Sequence, residues 1–248
     1  MVMARRLLSH RLRRVARRAT VALGVGLMAV PVVAEIASVR YTDETSRYAH
    51  GVLGDAIEYG TLEVTLKAGK RLALSLPQDR VFEDIAPRLL DMDGDGAPEV
   101  IVVESSQTGG ARLAIYDETG LRAATPHIGQ RNRWLAPIGA ADLDGDGHIE
   151  VAYIDRPHLA KTLRVWRFKD NKLTQVASQT GLTNHRIGED FISGGIRDCG
   201  DGPEMITVNA NWSQVIATRF DGKTLSPRPL GGFKNQMSLK RALDCKAP

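Results

Sequence analysis

Two acidic turns organise this sequence, and the first of them reads Asp91-Met92-Asp93-Gly94-Asp95-Gly96-Ala97-Pro98-Glu99. The second repeats the same spacing of carboxylates and glycines, as Asp142-Leu143-Asp144-Gly145-Asp146-Gly147-His148-Ile149-Glu150. A third, shorter copy reads Asp198-Cys199-Gly200-Asp201-Gly202-Pro203-Glu204. The leading aspartates are 51 and then 56 residues apart. A period of this length is typical of β-propellers and solenoid arrays.

The same succession of short apolar runs follows each acidic turn. A β-branched run comes first, over residues 99–103, 150–154 and 204–208. An alternating run follows it, over residues 111–116, 162–168 and 214–220, and Asp/Gly turns separate it from a last short strand. Short strands at even spacing, separated by such turns, indicate an all-β antiparallel fold. We therefore expect a small β-propeller with four strands in each blade.

The two ends of the chain resemble the parts of a further repeat. Residues 60–77 can be laid over 110–126, which predicts the later strands of a blade within residues 49–77. Residues 240–245 resemble 196–199, which predicts a first strand. We expect four blades, one of them shared between the N-terminal and C-terminal strands, because such closure removes open sheet edges. The alternative is an incomplete ring that pairs with another chain.

The acidic turns have the composition of a cation site. Carboxylates at positions 1, 3 and 5 of a tight turn converge, and glycine at position 6 permits the bend, as in an EF-hand loop. Val102 and Tyr153 stand where an EF-hand needs glutamate, so these are not EF-hands, and a fourth carboxylate lies at position 9 instead. Hard oxygen ligands favour calcium, here as two structural ions. The predicted ligands are Asp91, Asp93, Asp95, Glu99 and the Ala97 carbonyl for one ion, and Asp142, Asp144, Asp146, Glu150 and the His148 carbonyl for the other.

The alternative to a metal site is a pair of solvent-exposed Asp-Gly turns. Four carboxylates held together without a counter-charge cost free energy, which favours the metal. The third turn is two residues shorter and has lost one carboxylate, so we expect it to keep the bend without an ion.

These turns between strands resemble the FG-GAP and VCBS repeats of integrin-α-like β-propellers. The resemblance covers about residues 45–248 and implies that each complete turn links two strands of a blade and holds one calcium ion. Glutamate stands where the family often has aspartate, and the third turn is degenerate. The family consists mostly of binding and adhesion modules, so the resemblance implies a binding or interaction module, although a fold does not by itself define a function.

The N-terminus has the features of a targeting segment. Residues 1–34 carry seven arginines and no acidic residue, so the net charge of +4 falls to −3 over residues 35–248. This argues against a nucleic-acid partner. An apolar run over residues 19–33 has the length of a signal-peptide core, and small residues precede a cleavage point after Ala34. We expect a signal peptide over 1–34 and a propeller domain over 35–248, exported to the periplasm or cell envelope; an uncleaved membrane anchor or a secreted protein is the alternative.

Export also affects the interpretation of the two cysteines, Cys199 and Cys245. An even cysteine count in an oxidising compartment predicts one disulfide. Two free buried thiols are the alternative.

A second group of polar residues lies on the connectors at the other ends of the strands. The residues are Arg131, Arg133, Trp134, Asn184, His185, Arg186, Lys234 and Asn235. Such side chains suit a glycan or an anionic ligand, or an envelope protein partner, but solvated loop tips carry the same residues.

No Gly-x-Ser-x-Gly elbow or His-x-x-x-His pair occurs. The sequence thus favours a binding module, with a small enzyme acting on a glycan or anionic metabolite as the alternative.

Overall fold

The computed structural model describes residues 35–248, an all-β arrangement of antiparallel strands with one short helix. The strands form three sheets. The predicted signal peptide or anchor, residues 1–34, lies outside the described residues. Within residues 35–248, no helix has both the length and the apolar character needed to cross a bilayer.

The first sheet has eight strands and combines the N-terminal segment with the first repeat. It consists of β1 (Ile36–Thr45), β2 (Glu58–Leu66), β3 (Arg71–Ser75), β4 (Arg80–Phe82), β5 (Arg88–Leu90), β6 (Glu99–Ser106), β7 (Gly110–Asp117) and β8 (Gly120–Ala124). The order is β1-β2-β4-β6-β7-β8, with β3 paired to β2 and β5 paired to β6. The short strand β4 joins the two parts because it pairs with both β2 and β6.

The second and third sheets contain the other two repeats. The second consists of β9 (Leu135–Ala141), β10 (Glu150–Asp155), β11 (Thr162–Lys169) and β12 (Lys172–Thr180). The third consists of β13 (Leu182–Thr183), β14 (Gly195–Asp198), β15 (Pro203–Asn209), β16 (Gln214–Phe220) and β17 (Leu225–Gly232). Each repeat places four antiparallel strands side by side in chain order: β5 to β8, β9 to β12, and β14 to β17. The predicted all-β antiparallel architecture is confirmed.

Burial explains the two kinds of strand that the sequence contains. Every residue of β6 and of β10 is buried, because each of these strands has a neighbour on both sides and is covered on both faces. Such strands carry continuous apolar runs. The edge strand β12 is largely exposed and is correspondingly polar. The second and third sheets approach closely where β9 meets β14: a Cβ on Gly139 would lie 3.0 Å from Ile196 Cδ1.

The C-terminal segment is the helix α1 (Gln236–Leu243), so the prediction of a strand over 240–245 is wrong, and with it the blade shared between the chain ends. Leu239 and Ala242 are three residues apart and pack together against the third sheet, as on one face of a helix. Asn235 caps the helix, its side chain accepting a hydrogen bond from the Met237 amide at 2.9 Å.

The three sheets are not joined into one closed sheet within the described part of the chain.

The N-terminal segment also differs from its predicted form. The hairpin of β2 and β3 is present, but the strand beside β2 is β1, which precedes the predicted segment. Residues 46–57 form a loop in place of a strand, and Gly51 and Gly54 adopt φ values of 66° and 100°, which glycine tolerates best. Gly188 N donates to Val52 O at 3.1 Å, so this loop contacts a connector of the third sheet.

Candidate functional site

The first acidic turn lies between β5 and β6 and is shaped by its leading aspartate. The Asp91 carboxylate accepts hydrogen bonds from Gly94 N at 2.7 Å and from Gly96 N at 3.0 Å. Both glycines have positive φ, at 79° and 89°. Ala97 N donates to Asp95 Oδ1 at 2.8 Å, which fixes the last part of the bend.

The second turn, between β9 and β10, repeats this network. Asp142 accepts hydrogen bonds from Gly145 N at 2.8 Å and from Gly147 N at 3.0 Å. His148 N donates to Asp146 Oδ1 at 2.9 Å, as Ala97 N does to Asp95. The two turns are thus duplicates in structure as well as in sequence.

A buried glutamate closes each turn at the start of the next strand. Glu99 Oε2 accepts a hydrogen bond from Met92 N at 2.8 Å, and Glu150 Oε2 accepts one from Leu143 N at 2.9 Å. Burial raises the pKa of Glu99 above its usual value, against the opposing effects of the Met92 amide and Arg122. Burial also raises the pKa of Glu150, against its hydrogen bonds with Arg167 and the Leu143 amide.

Each turn contains an arginine among its carboxylates. Arg122, on β8, contacts Glu99 and lies 3.0 Å from Asp93 and 3.5 Å from Asp117. Arg167, on β11, contacts Asp144 and lies 2.8 Å from Asp146. These guanidinium groups supply positive charge that the sequence pattern alone did not associate with the turns.

The donor sets fit a hard divalent cation. Carboxylate oxygens of Asp91, Asp93 and Glu99 lie within 4.8 Å of one another, and so do those of Asp142, Asp144 and Asp146. Asp95 and Glu150 lie outside these two groups. Three clustered carboxylates without nitrogen or sulfur ligands are a donor set that calcium and magnesium accept.

The third turn is stabilised differently. Asp198 Oδ1 accepts from Gly200 N at 2.8 Å and Gly202 N at 3.1 Å, so the bend is kept. Glu204 is paired with three arginines instead of facing a group of aspartates. The closest distances are 2.8 Å to Arg197, 2.9 Å to Arg219 and 2.7 Å to Arg228. Burial acts to raise the pKa of Glu204, but these hydrogen bonds outweigh it and lower the pKa to about 2.

Cys199 and Cys245 form a disulfide with a Cα–Cα distance of 5.7 Å. The predicted pairing is confirmed, but the two residues are not on neighbouring strands. Cys199 lies in the third turn and Cys245 follows α1, so the bond fastens the helix to the turn. Arg197 reinforces this junction by donating to Ala242 O at 2.5 Å.

The polar residues predicted for the second site occupy three kinds of environment. Arg133 and Trp134 line a cavity with a volume of about 330 Å³. Asn184 and His185 are buried, and Asn184 donates to the backbone carbonyls of Ala136 and Pro137. The remaining residues lie elsewhere: Arg131 over the Tyr48 ring, Arg186 over the Trp212 ring at 4.1 Å, Lys234 exposed, and Asn235 at the helix cap.

The cavity also contains residues that the sequence did not single out as a site. His50, Arg156 and His158 line it together with Arg133 and Trp134. His50 comes from the loop 46–57, which has no equivalent in the other repeats, so repeat alignment could not place it. Glu83 behind His50 is fully buried. The sequence offered one signal, the acidic residue Glu83 directly after the apolar end of β4. Its partner His50, however, is 33 residues away in the chain.

Residues 91–153 match a family model described as an FG-GAP-like repeat. The chain therefore contains an FG-GAP-like repeat, and the resemblance drawn from the acidic turns is confirmed. The matched segment spans both complete acidic turns. No curated protein matches the sequence.

Two solved structures resemble the fold weakly. One is described as an exotype rhamnogalacturonan lyase YesX, with 13% identity and a TM-score of 0.43 over 82% of this chain and 49% of that chain. The other is rhamnogalacturonan lyase PL11 of Bacillus licheniformis, with 12% identity and a TM-score of 0.36 over 84% of this chain and 54% of that chain. The chain thus spans about half the length of each lyase. Similarity at this level carries no weight for the function.

Proposed function

We propose that this protein is an exported binding module of the cell envelope or periplasm, stabilised by calcium in its two complete acidic turns. The observation that carries this proposal is the duplicated turn network within the FG-GAP-like repeat. Its sheets would be arranged as in a propeller, which the close approach of β9 and β14 supports. The ring would have three four-stranded blades and the N-terminal strands β1 to β4.

Calcium would be held in each turn by carboxylate oxygens and a backbone carbonyl. The residues are Asp91, Asp93, Asp95, Glu99 and the Ala97 carbonyl in the first turn, and Asp142, Asp144, Asp146, Glu150 and the His148 carbonyl in the second. The ion would neutralise these carboxylates and hold the ends of two strands together. Arg122 and Arg167 reduce the repulsion in its absence, so we expect calcium to add stability to a protein that folds without it.

Export is supported by the disulfide, since such bonds persist in oxidising compartments. The arginine-rich N-terminal 34 residues would direct this export as a signal peptide or anchor. The mass of the purified exported protein tests this, because cleavage after Ala34 gives a chain that begins at Glu35. A full-length chain in the cytoplasmic fraction would contradict it.

Thermal unfolding in calcium and in chelator tests the metal assignment. At a calcium concentration of about 100 times Kd, each site would add about 2.7 kcal/mol to the free energy of unfolding. Asp93→Asn and Asp144→Asn should each remove part of the calcium-dependent shift. Asp201→Asn, at an exposed aspartate of the degenerate third turn, is the matched control and should leave the shift unchanged. Absence of calcium uptake by calorimetry at millimolar concentration would contradict the proposal.

One observation favours a second candidate, a small enzyme acting on an anionic metabolite or glycan. His50 Nδ1 lies 2.6 Å from Oε1 of the buried Glu83, and His50 also lines the cavity on the face opposite the acidic turns. A carboxylate that orients a histidine is a common arrangement for proton transfer. Turnover of an anionic ester or glycoside that is lost in His50→Gln, with calcium binding unchanged, would favour this candidate.

A further inference from the structure

Connectors from three parts of the fold meet around the cavity of about 330 Å³. His50 comes from the loop 46–57, Arg133 from the connector between β8 and β9, and His158 from the connector between β10 and β11. The acidic turn 142–149 joins the other ends of β9 and β10. The cavity and the proposed calcium sites are thus separated by the length of these strands, roughly 20 Å.

His50 is held in a defined orientation by Glu83. The Glu83 carboxylate is fully buried, and its second oxygen accepts a hydrogen bond from the Ser105 hydroxyl. Its backbone is also fixed, because Glu83 N donates to Val103 O at 3.0 Å and Glu83 O accepts from Trp134 Nε1 at 2.9 Å. With Nδ1 engaged by this carboxylate, Nε2 is the ring nitrogen that remains for a ligand in the cavity.

His158 presents Nδ1 as a hydrogen-bond acceptor, because its hydrogen bond with His185 uses the proton on Nε2. The Glu189 carbonyl can only accept, so His185 Nε2, 2.9 Å away, carries a proton. The neutral His185 then accepts at Nδ1 from His158 Nε2 at 3.0 Å, which leaves His158 Nδ1 unprotonated. Burial and then the neighbouring His185 and His50 lower the pKa of His158 to about 4, which agrees with a neutral ring.

Positive charge predominates at the cavity. Arg133 has no ion-pair partner among residues 35–248. Arg156 pairs with Asp155, but Asp155 also pairs with Arg164, so this group of three carries an excess of one positive charge. Three acids of the surrounding segments have partners of their own: Glu83 with His50 and Ser105, Asp84 with Arg88, and Glu189 with the Arg186 amide.

The remaining wall of the cavity is apolar. Pro157 and Leu159 follow Arg156, and Ile187 approaches from the connector before β14. Leu159 is 61% exposed and Ile187 is 72% exposed, and neither belongs to a core cluster. Burying such side chains under an apolar part of a ligand is favourable.

We propose that this cavity binds a small organic acid, whose carboxylate pairs with Arg133 and Arg156, whose hydroxyl is oriented by His50 and His158, and whose apolar part packs on Leu159 and Ile187. The inference rests on the proposed binding function and names its ligand class. An acid of this kind satisfies the cationic, hydrogen-bonding and apolar parts of the wall together.

Calorimetric titration with sodium mandelate tests the assignment, because mandelate carries a carboxylate, a hydroxyl and an aromatic ring. The calcium-loaded exported protein should bind it with a Kd of about 1 mM or tighter. Mandelamide, its neutral counterpart, should bind at least about tenfold more weakly, since it lacks the charge-assisted hydrogen bonds.

Variants locate the site on the protein. Arg133→Gln should weaken mandelate binding about tenfold or more, because a charge-assisted contact is lost. Leu159→Asp should also weaken mandelate binding, because it places a negative charge in the apolar wall of the cavity. Arg71→Gln, at an exposed arginine of β3, is the control and should leave binding unchanged. Absence of mandelate binding, equal binding of mandelamide, or full binding by Arg133→Gln would each overturn the assignment. The calcium-dependent melting shift of the same samples reports separately on the proposed function.

Discussion

Arg167 and Glu150 face each other across β10 and β11, and Arg167 Nε donates to Glu150 Oε1 at 2.5 Å inside the second acidic turn. The same guanidinium also contacts Asp144 and Asp146. Arg122 provides equivalent charge in the first turn, although it comes from the fourth strand of its repeat instead of the third. A bound cation would therefore share its carboxylates with an arginine in both turns.

Replacement of Arg167 should have opposite effects on metal binding and on metal-free stability. Arg167→Gln should tighten calcium binding about tenfold at the second turn, because a positive charge beside the cation is removed. In chelator the same variant should melt at a lower temperature, because its carboxylates repel one another. Calorimetry and thermal unfolding measure the two effects. Arg164→Gln, on the same strand but paired with Asp155, is the control, and unchanged calcium affinity in Arg167→Gln would contradict the prediction.

Loss of the disulfide should destabilise the C-terminal part of the molecule. Cys199 and Cys245 are 46 residues apart, and closing a loop of this length stabilises by about 4 kcal/mol on the chain-entropy estimate. Cys245→Ser should therefore lower the free energy of unfolding by an amount of that order, measured by urea denaturation. The double variant Cys199→Ser/Cys245→Ser should behave like the single one. Equal stability of the oxidised and reduced proteins would argue against this role.

The helix cap provides a test of the C-terminal helix. Asn235→Ala should destabilise the protein by about 1 kcal/mol, because the Met237 amide loses its side-chain acceptor. Asn235→Asp keeps an acceptor and should retain most of the stability. Urea denaturation at one pH compares the three proteins. If alanine were as stable as asparagine, Asn235 would not act as the cap.

The carboxylate of Glu204 should make stability depend on acid pH. Its pKa is lowered from 4.5 to about 2 in the folded protein, so its ionised form is favoured by folding. This contribution is present above the unfolded pKa of about 4.5 and is lost as the pH falls towards about 2. The stability difference between wild type and Glu204→Gln should therefore shrink over this range. Glu44→Gln, at an exposed glutamate of β1, controls for the change in net charge, and a difference independent of pH would contradict the assignment.

The repeats could be predicted because their determinants are local. Each acidic turn bonds within itself, from Asp91 to Gly94 and Gly96 and from Asp142 to Gly145 and Gly147. The following strands are buried by their neighbours, which requires the continuous apolar runs of β6 and β10. The disulfide could be proposed from the cysteine count and the expected compartment. These features depend on short sequence separations or on composition, and a single chain reveals both.

The C-terminal helix and the cavity on the opposite face depend on contacts between distant residues. Residues 240–245 resemble a first strand in sequence, but in the folded protein Leu239 and Ala242 are buried against the third sheet on one face of a helix. His50 meets Glu83, and Arg122 meets Asp93, only after loops and strands from different parts of the chain have packed. The sequence by itself therefore determined the repeated turns and the position of their carboxylates, because the hydrogen bonds of each turn close within a few residues. Tertiary packing determined which arginine accompanies each turn and which histidines face the cavity, because those pairings are set by burial and charge across the assembled sheets.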